Sequence, residues 1–120
     1  RIKNSLKVVK VTAAVDCGTV VNPDIVKAQT EGSIVMGLTA TYKSEISIEK
    51  GKVVEKNFDQ YKMLMLHECP EIEVTVMQSE DPPEGAGEAG LPTVAPALAN
   101  AIYELTGKRL RSLPFSLENI

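Results

Sequence analysis

Three glycines and one glutamate lie within the run Gly-Ala-Gly-Glu-Ala-Gly at positions 85 to 90. Glycine can adopt positive φ and lets a ligand approach the backbone closely, and Glu88 is the one group of the run able to move a proton. The pattern therefore predicts a functional loop with Glu88 as its chemical group. From composition alone, the alternative is a mobile surface loop in which Glu88 is simply solvated.

The glycine spacing also matches the dinucleotide-binding pattern G-x-G-x-x-G, but its surroundings do not. In that fold the first glycine follows a strand directly, and the last lies inside the helix whose N-terminus binds the pyrophosphate. Here residues 79–84, including two prolines, precede the glycines, and Leu91-Pro92 interrupts any helix starting at Gly87. A P-loop is excluded as well, because Gly-Lys-Ser/Thr is missing. We therefore predict neither kind of nucleotide site.

The elements that position this loop are predicted from hydrophobic periodicity. Apolar residues alternate in Leu6–Asp16 and again around Ile72–Val76, which is typical of strands. Asn22 followed by Pro23 indicates the start of a helix that continues to about residue 40. The segment Glu45–Glu55 has the pattern of a hairpin turning at Lys50-Gly51.

A last helix is predicted from near Thr93 to a C-terminal cap at Gly107. Its apolar stripe comprises Val94, Ala97, Leu98, Ala101, Ile102 and Leu105. Pro96 fits this helix only if it lies in the first turn, where a missing N–H costs no hydrogen bond. The order strand, helix, hairpin, strand, loop, helix predicts an α+β or mixed α/β fold.

Composition excludes several classes of function. A net charge of −3 and a pI of about 5.2 provide no basic surface for nucleic acid. The apolar runs are far shorter than the roughly 20 residues of a membrane span. Cys17 and Cys69 accompany a single histidine, His67, so no zinc or iron–sulfur motif is present. We expect buried thiols and a surface or partly buried histidine.

The chain could bury the core of one domain, but we expect it to be part of a longer polypeptide. It has 120 residues, begins at Arg1 without an initiator methionine and contains no Trp. Its last residues, Phe115–Ile120, are polar and irregular in pattern.

Two segments resemble a known family. Residues 87 to 102, Gly-Glu-Ala-Gly-Leu-Pro-Thr-Val-Ala-Pro-Ala-Leu-Ala-Asn-Ala-Ile, resemble the C-terminal motif of the molybdenum-binding large subunits of the xanthine dehydrogenase and aldehyde oxidase family. Asp16-Cys-Gly-Thr-Val-Val-Asn-Pro, followed by Gln29-Thr-Glu-Gly-Ser-Ile-Val-Met-Gly-Leu, looks like that family's D-x-G … N-P … Q-x-E-G-x-x-x-x-G-L block. The match is nearest to the bacterial branch that includes isoquinoline 1-oxidoreductase and related aldehyde dehydrogenases. The resemblance extends over residues 15–114, nearly the whole chain.

The resemblance implies that residues 1–120 are a single C-terminal fragment of a molybdopterin-binding domain. It implies that Glu88 is the catalytic base beside the molybdenum, that Gln29 contacts the pterin, and that Gly87 and Gly90 leave space for cofactor or substrate. Water would supply the oxygen transferred to an electron-poor carbon. This chemistry suits a carboxylate that is partly desolvated. Without the resemblance, Gln29 would be expected to satisfy a backbone group.

The implied cofactor is a molybdenum-pterin, molybdopterin or its cytosine dinucleotide form. The implied partners are the rest of the large subunit, an iron–sulfur electron-transfer subunit or domain, and a small aldehyde or heteroaromatic substrate. Upstream cofactor segments of the family have no counterpart here, so the fragment alone is expected to be inactive. The alternatives are a noncatalytic α+β binding module whose glycine-rich loop grips a ligand, and a degenerate paralogue that never binds molybdenum.

Overall fold

The computed structural model describes residues 6–116. Its elements, in chain order, are β1 (Lys10–Val15), α1 (Pro23–Tyr42), β2 (Ile48–Glu49), β3 (Lys52–Val53), a 3₁₀ turn (Leu66–Glu68), β4 (Glu71–Val76) and α2 (Leu91–Thr106). The predicted α+β class and order of elements are confirmed. Within the described range neither helix combines the length and hydropathy needed to cross a bilayer.

The strands β1 and β4 pair in parallel, in a register running from Lys10 opposite Glu71 to Val15 opposite Val76. Parallel strands require a long crossover connection, and here α1 and the β2–β3 hairpin lie within that connection. β1 is shorter than predicted because its partner β4 begins only at Glu71. Parallel pairing places the carboxyl ends of both strands at the same edge of the sheet.

The start of α1 is fixed by its cap, as predicted. The backbone N–H of Ile25 donates to Asn22 Oδ1 at 3.2 Å, and Pro23 occupies the first turn. The buried side of the helix is rich in small residues and hydroxyls. Thr41 Oγ1, for example, donates to the carbonyl of Gly37 one turn earlier. These internal bonds let a polar helix face lie in the core without unpaired hydroxyls.

Small residues on α1 allow α2 to pack closely against it. A Cβ at Gly37 would lie only 2.6 Å from Val94 Cγ2 and 2.8 Å from the Leu91 carbonyl oxygen. The helices and the inner face of the sheet enclose one apolar core, which comprises Val15, Ile34, Leu38, Val74 and Val94.

The prediction that Pro96 lies in the first turn of α2 is wrong. The helix begins at Leu91, with Pro92 near its N-terminus, so Pro96 lies in the helix interior. The start is earlier than predicted because the turn that ends at Leu91 leads directly into the helix: the Leu91 N–H donates to the Glu88 carbonyl at 3.0 Å. Gly107 caps the C-terminal end of α2 as predicted. Its φ is 72°, and its N–H donates to the Tyr103 carbonyl at 2.7 Å.

The predicted hairpin turn is also confirmed, since Lys50 and Gly51 have φ angles of 50° and 75°. At the C-terminal end, Phe115 is buried and its N–H donates to the Thr41 carbonyl at 2.7 Å. Phe115, the first residue of the segment predicted to be irregular, is therefore fixed to the end of α1. Residues 117–120 lie outside the described range.

Candidate functional site

The glycine loop, residues 85–90, connects the carboxyl end of β4 to α2. Ligands of open sheets with parallel strands bind outside the carboxyl ends of the strands, and the loop lies at that edge. Two neighbouring segments, residues 16–19 after β1 and residues 81–84 after β4, are joined there. The Glu84 N–H donates to the Cys17 carbonyl at 2.9 Å, and the Thr19 N–H and Oγ1 both donate to the Asp81 carbonyl, at 2.8 and 2.9 Å.

Gly18 makes this junction possible. It has φ of 72°, a conformation that favours glycine, and a Cβ at this position would overlap the Pro82 carbonyl. Its N–H donates to Asp16 Oδ1 at 3.1 Å. The entry to the glycine loop is therefore fixed to the end of β1.

The middle of the loop is bonded to α1 through the predicted cofactor residues. Gln29 Nε2 donates to the Gly87 carbonyl oxygen at 2.7 Å. Gln29 and Gly87 are thus neighbours. The amide of Gln29 hydrogen-bonds a backbone group, which is the role expected of it when the family resemblance is left aside. Both residues remain exposed, so a hydrogen bond within the chain does not remove them from contact with a ligand.

Glu88 follows Gly87 and is exposed, so residues 6–116 do not supply the partial desolvation expected of the base. Its backbone is more constrained than its side chain, because its carbonyl accepts from the Leu91 N–H at 3.0 Å. Glu88 therefore belongs to a turn held between α1 and the first turn of α2.

The structure corrects the expected roles of the glycines. None of Gly85, Gly87 and Gly90 has positive φ. A Cβ on Gly85 or Gly87 would meet nothing within 4 Å, so these positions are open. At Gly90 a Cβ would overlap Ser33 Oγ and lie 3.2 Å from Ile34 Cγ1. The space beside Gly90 is therefore filled by α1, and the prediction that it serves a cofactor or substrate is wrong.

The loop carries a set of hydrogen-bond donors. In residues 6–116, the backbone N–H groups from Gly85 to Gly90 donate to no group of the protein. A run of amides without acceptors in the described residues fits a ligand rich in acceptor oxygens, as a phosphorylated pterin is. The described part of the chain contains no cluster of three His, Cys, Asp or Glu side chains able to hold a metal ion.

The remaining reactive side chains lie apart from the loop or inside the fold. Cys17 is buried, as predicted, whereas Cys69 is half-buried, because it follows the 3₁₀ turn at the edge of the fold. His67 is exposed on that turn, in agreement with the predicted surface position.

The sequence does not reveal the close contacts that Gly18 makes with Pro82 and that Ser33 makes with Gly90. Gly18 belongs to the matched Asp16-Cys-Gly block, and a glycine near the end of a strand is a turn signal. Ser33 lies one helical turn from Gln29 on the face of α1 that meets the loop. The spacing between Gln29 and Ser33 is visible in the sequence, but the contact of Ser33 with Gly90 is not.

Taken together, a parallel strand pair, close-packed helices and a donor-rich loop at the strand ends define an α+β module suited to binding a polar ligand. Residues 3–70 match the sequence model of the molybdopterin cofactor-binding domain. The chain belongs to this family.

Relatives and solved structures agree with this assignment. The chain is 41% identical, over 114 residues, to the isoquinoline 1-oxidoreductase subunit beta of Brevundimonas diminuta, covering 95% of this chain and 15% of that protein. It is 41% identical, over 105 residues, to the membrane-bound pyrroloquinoline-quinone aldehyde dehydrogenase of Gluconacetobacter polyoxogenes, covering 88% and 14%. Its fold is similar to quinoline 2-oxidoreductase from Pseudomonas putida 86, with a TM-score of 0.80, 23% identity and coverage of 90% and 15%. The chain thus spans only about 15% of the length of the relatives it matches.

Proposed function

We propose that this chain is the C-terminal portion of the molybdopterin-binding domain in the large subunit of a molybdenum hydroxylase. The enzyme would hydroxylate an aldehyde or an N-heteroaromatic carbon with oxygen from water, and Glu88 would be its base. The observation that carries the proposal is the hydrogen bond from Gln29 to Gly87. It joins the two family motifs at the residue that precedes Glu88.

The loop fits one side of a molybdenum-pterin cofactor. Gly85 and Gly87 leave open space, and the amides of residues 85–90 are available donors. Gln29 uses one N–H for Gly87 and keeps further hydrogen-bonding capacity, since an amide has two donor hydrogens and an acceptor oxygen. These donors suit molybdopterin and equally the phosphates of its cytosine dinucleotide form. When bound, the molybdenum centre supplies the redox chemistry that removes two electrons from the substrate.

Glu88 would accept the proton released as water becomes the attacking oxygen. Its carboxylate is exposed in this chain, so it is accessible to a reactant. Gly87, the residue before Glu88, has open space beside it and places no side chain between the carboxylate and a ligand. Because general bases work best when positioned and partly shielded from water, the shielding would come from the remainder of the subunit, the cofactor and the substrate.

The rest of the large subunit is the first proposed partner, and two uncovered surfaces support it. β1 pairs only with β4 among the described residues, so the sheet has open strand edges whose backbone groups could pair with a further strand. A groove of about 520 Å³ runs between β1 and α2 and is lined largely by apolar side chains, including Val11, Ala97 and Ala101. Leu105, in the stripe of α2, is 70% exposed. An iron–sulfur subunit or domain is the proposed electron acceptor.

The decisive experiment replaces Glu88 by Gln in the intact enzyme. Gln retains size and hydrogen-bonding reach but cannot take up the proton, so we expect turnover to fall by about 10²–10⁴-fold or more. Molybdenum content should stay nearly unchanged. Glu84→Gln is the matched control: Glu84 is an exposed carboxylate four residues away and outside the matched motif, so its replacement should be nearly silent.

Similar behaviour of the two variants would contradict the assignment. So would retention of more than about a tenth of the activity by Glu88→Gln, since this loss is smaller than the about 10²-fold at the low end of typical general base catalysis.

A further inference from the structure

The loop that carries Glu88 is held at both ends and in the middle. Its entry is bonded to the end of β1 through the Glu84 N–H and the Cys17 carbonyl, at 2.9 Å. Its middle is bonded to α1 through Gln29 and the Gly87 carbonyl, at 2.7 Å. Its exit, Gly90, rests directly on α1 against Thr30, Ser33 and Ile34.

The exit differs from the other two attachments because it depends on a side chain being absent. A Cβ at Gly90 would overlap Ser33 Oγ and lie 3.3 Å from the Thr30 carbonyl oxygen. Ser33 is buried and donates to that same carbonyl at 2.8 Å, so its hydroxyl is held in place. Gly90 has φ of −75° and ψ of −27°, angles that alanine adopts freely. Position 90 therefore requires glycine because a side chain would collide with α1, and not because of its backbone conformation.

A short turn transmits the position of Gly90 to Glu88. The Leu91 N–H donates to the Glu88 carbonyl at 3.0 Å, which closes a turn with Gly90 inside it. If Gly90 moves away from α1, the backbone of Glu88 moves with it.

We infer that Gly90 is a positioning residue that sets the distance between Glu88 and its reaction partner by seating the turn 88–91 against Ser33. The inference rests on the proposed role of Glu88 as base. Carbon and oxygen atoms in contact are separated by about 3.5 Å, so a methyl group at Gly90 would displace the turn by roughly 1 Å. Displacements of this size at reacting groups lower rates by about 10²-fold.

The test is a double-mutant cycle in the intact enzyme with Gly90→Ala, Ser33→Ala and the two combined. After removal of Ser33 Oγ, the nearest remaining contacts of that Cβ lie at 3.2 and 3.3 Å, which small shifts relieve. For Gly90→Ala we expect kcat to fall between about 10- and 100-fold, with KM and molybdenum content nearly unchanged. The combined variant should recover most of the lost kcat, because the overlap is gone.

Amide hydrogen exchange of the peptide covering residues 85–91 provides a second readout that does not require turnover. Exchange should be faster in Gly90→Ala and return towards that of the parent in the combined variant, because the Leu91 N–H regains its bond. Parent-like kcat in Gly90→Ala would overturn the inference. The inference would also be overturned if Ser33→Ala did not restore the kcat of Gly90→Ala, or if the fall in kcat merely followed a fall in molybdenum content.

These outcomes separate the inference from the proposed function. An active Glu88→Gln enzyme would refute the role of Glu88 as base, whatever Gly90 does. An inactive Glu88→Gln enzyme together with an unaffected Gly90→Ala enzyme would refute the positioning role alone.

Discussion

Gln29 on α1 and Gly87 in the glycine loop are joined by a 2.7 Å hydrogen bond from the side-chain amide to the backbone carbonyl. The two residues are 58 positions apart in sequence, and each belongs to a different family motif. The bond therefore brings the two motifs together beside Glu88. It also gives Gln29 a role within the chain in addition to its proposed contact with the cofactor.

Replacement of Gln29 by Ala in the intact enzyme should reduce cofactor loading more than it harms the fold. Loss of an amide that faces a polar ligand leaves partner groups unpaired, which weakens binding by about 1–3 kcal/mol. Molybdenum content and the unfolding midpoint are the paired measurements. Gln78→Ala is the control, because Gln78 is an exposed amide just after β4. Normal loading together with easier unfolding would assign Gln29 a structural role only.

The isolated 120-residue chain should contain no molybdenum and show no activity. It contributes Gln29, Glu88 and the loop amides, whereas a large pterin cofactor requires many converging groups. Within residues 6–116 no cluster of metal-ligating side chains could retain the metal without the cofactor. Elemental analysis of the purified chain, beside that of the intact enzyme, is the measurement. Stoichiometric molybdenum in the chain alone would refute the prediction.

Two glycines of α1 should respond oppositely to replacement by alanine. Gly37→Ala places a Cβ 2.6 Å from Val94 Cγ2, and overpacking of this kind destabilises by about 1–3 kcal/mol. Gly32→Ala meets nothing within 4 Å, so it should stabilise the helix by up to about 1 kcal/mol. Urea unfolding of both variants measures the difference. Equal effects would show that α2 does not approach α1 as closely as the structure indicates.

Acid should weaken the attachment of the 3₁₀ turn to the end of α1. The Lys43 ammonium, and after it the Met65 N–H, hydrogen-bond Glu68 and lower the pKa of its carboxyl. A carboxyl whose pKa is lower in the folded state stabilises the fold above its unfolded value, about 4.3, and loses this effect as pH falls through the folded value.

Glu68→Gln should therefore lower the free energy of unfolding more at pH 7 than near pH 3. Glu104→Gln, at an exposed glutamate of α2, is the control, and its effect should be similar at both pH values. If the effect of Glu68→Gln were also independent of pH, the ion pair would contribute nothing to stability.

Much of the fold was predictable from local sequence signals. Asn22 and Pro23 begin α1, Lys50-Gly51 turns the hairpin, and Gly107 ends α2, each because a short segment has one favourable backbone conformation. The alternating residues of β1 and β4 likewise indicate strands. The start of α2 is not predictable from local signals, because the turn at Glu88–Leu91 that leads into the helix depends on contacts with α1.

The amino-acid sequence by itself determined the elements, the family and the candidates Glu88, Gln29 and Gly87, because caps, periodicity and motifs are encoded in neighbouring residues. Tertiary structure alone decided that β1 and β4 pair in parallel and that Gln29 reaches Gly87. It also separated two glycines of one motif, with Gly87 open and Gly90 packed on Ser33. The physical reason is that steric contact and hydrogen bonding depend on distances in space, and residues far apart in sequence carry no local signal of the partners they meet.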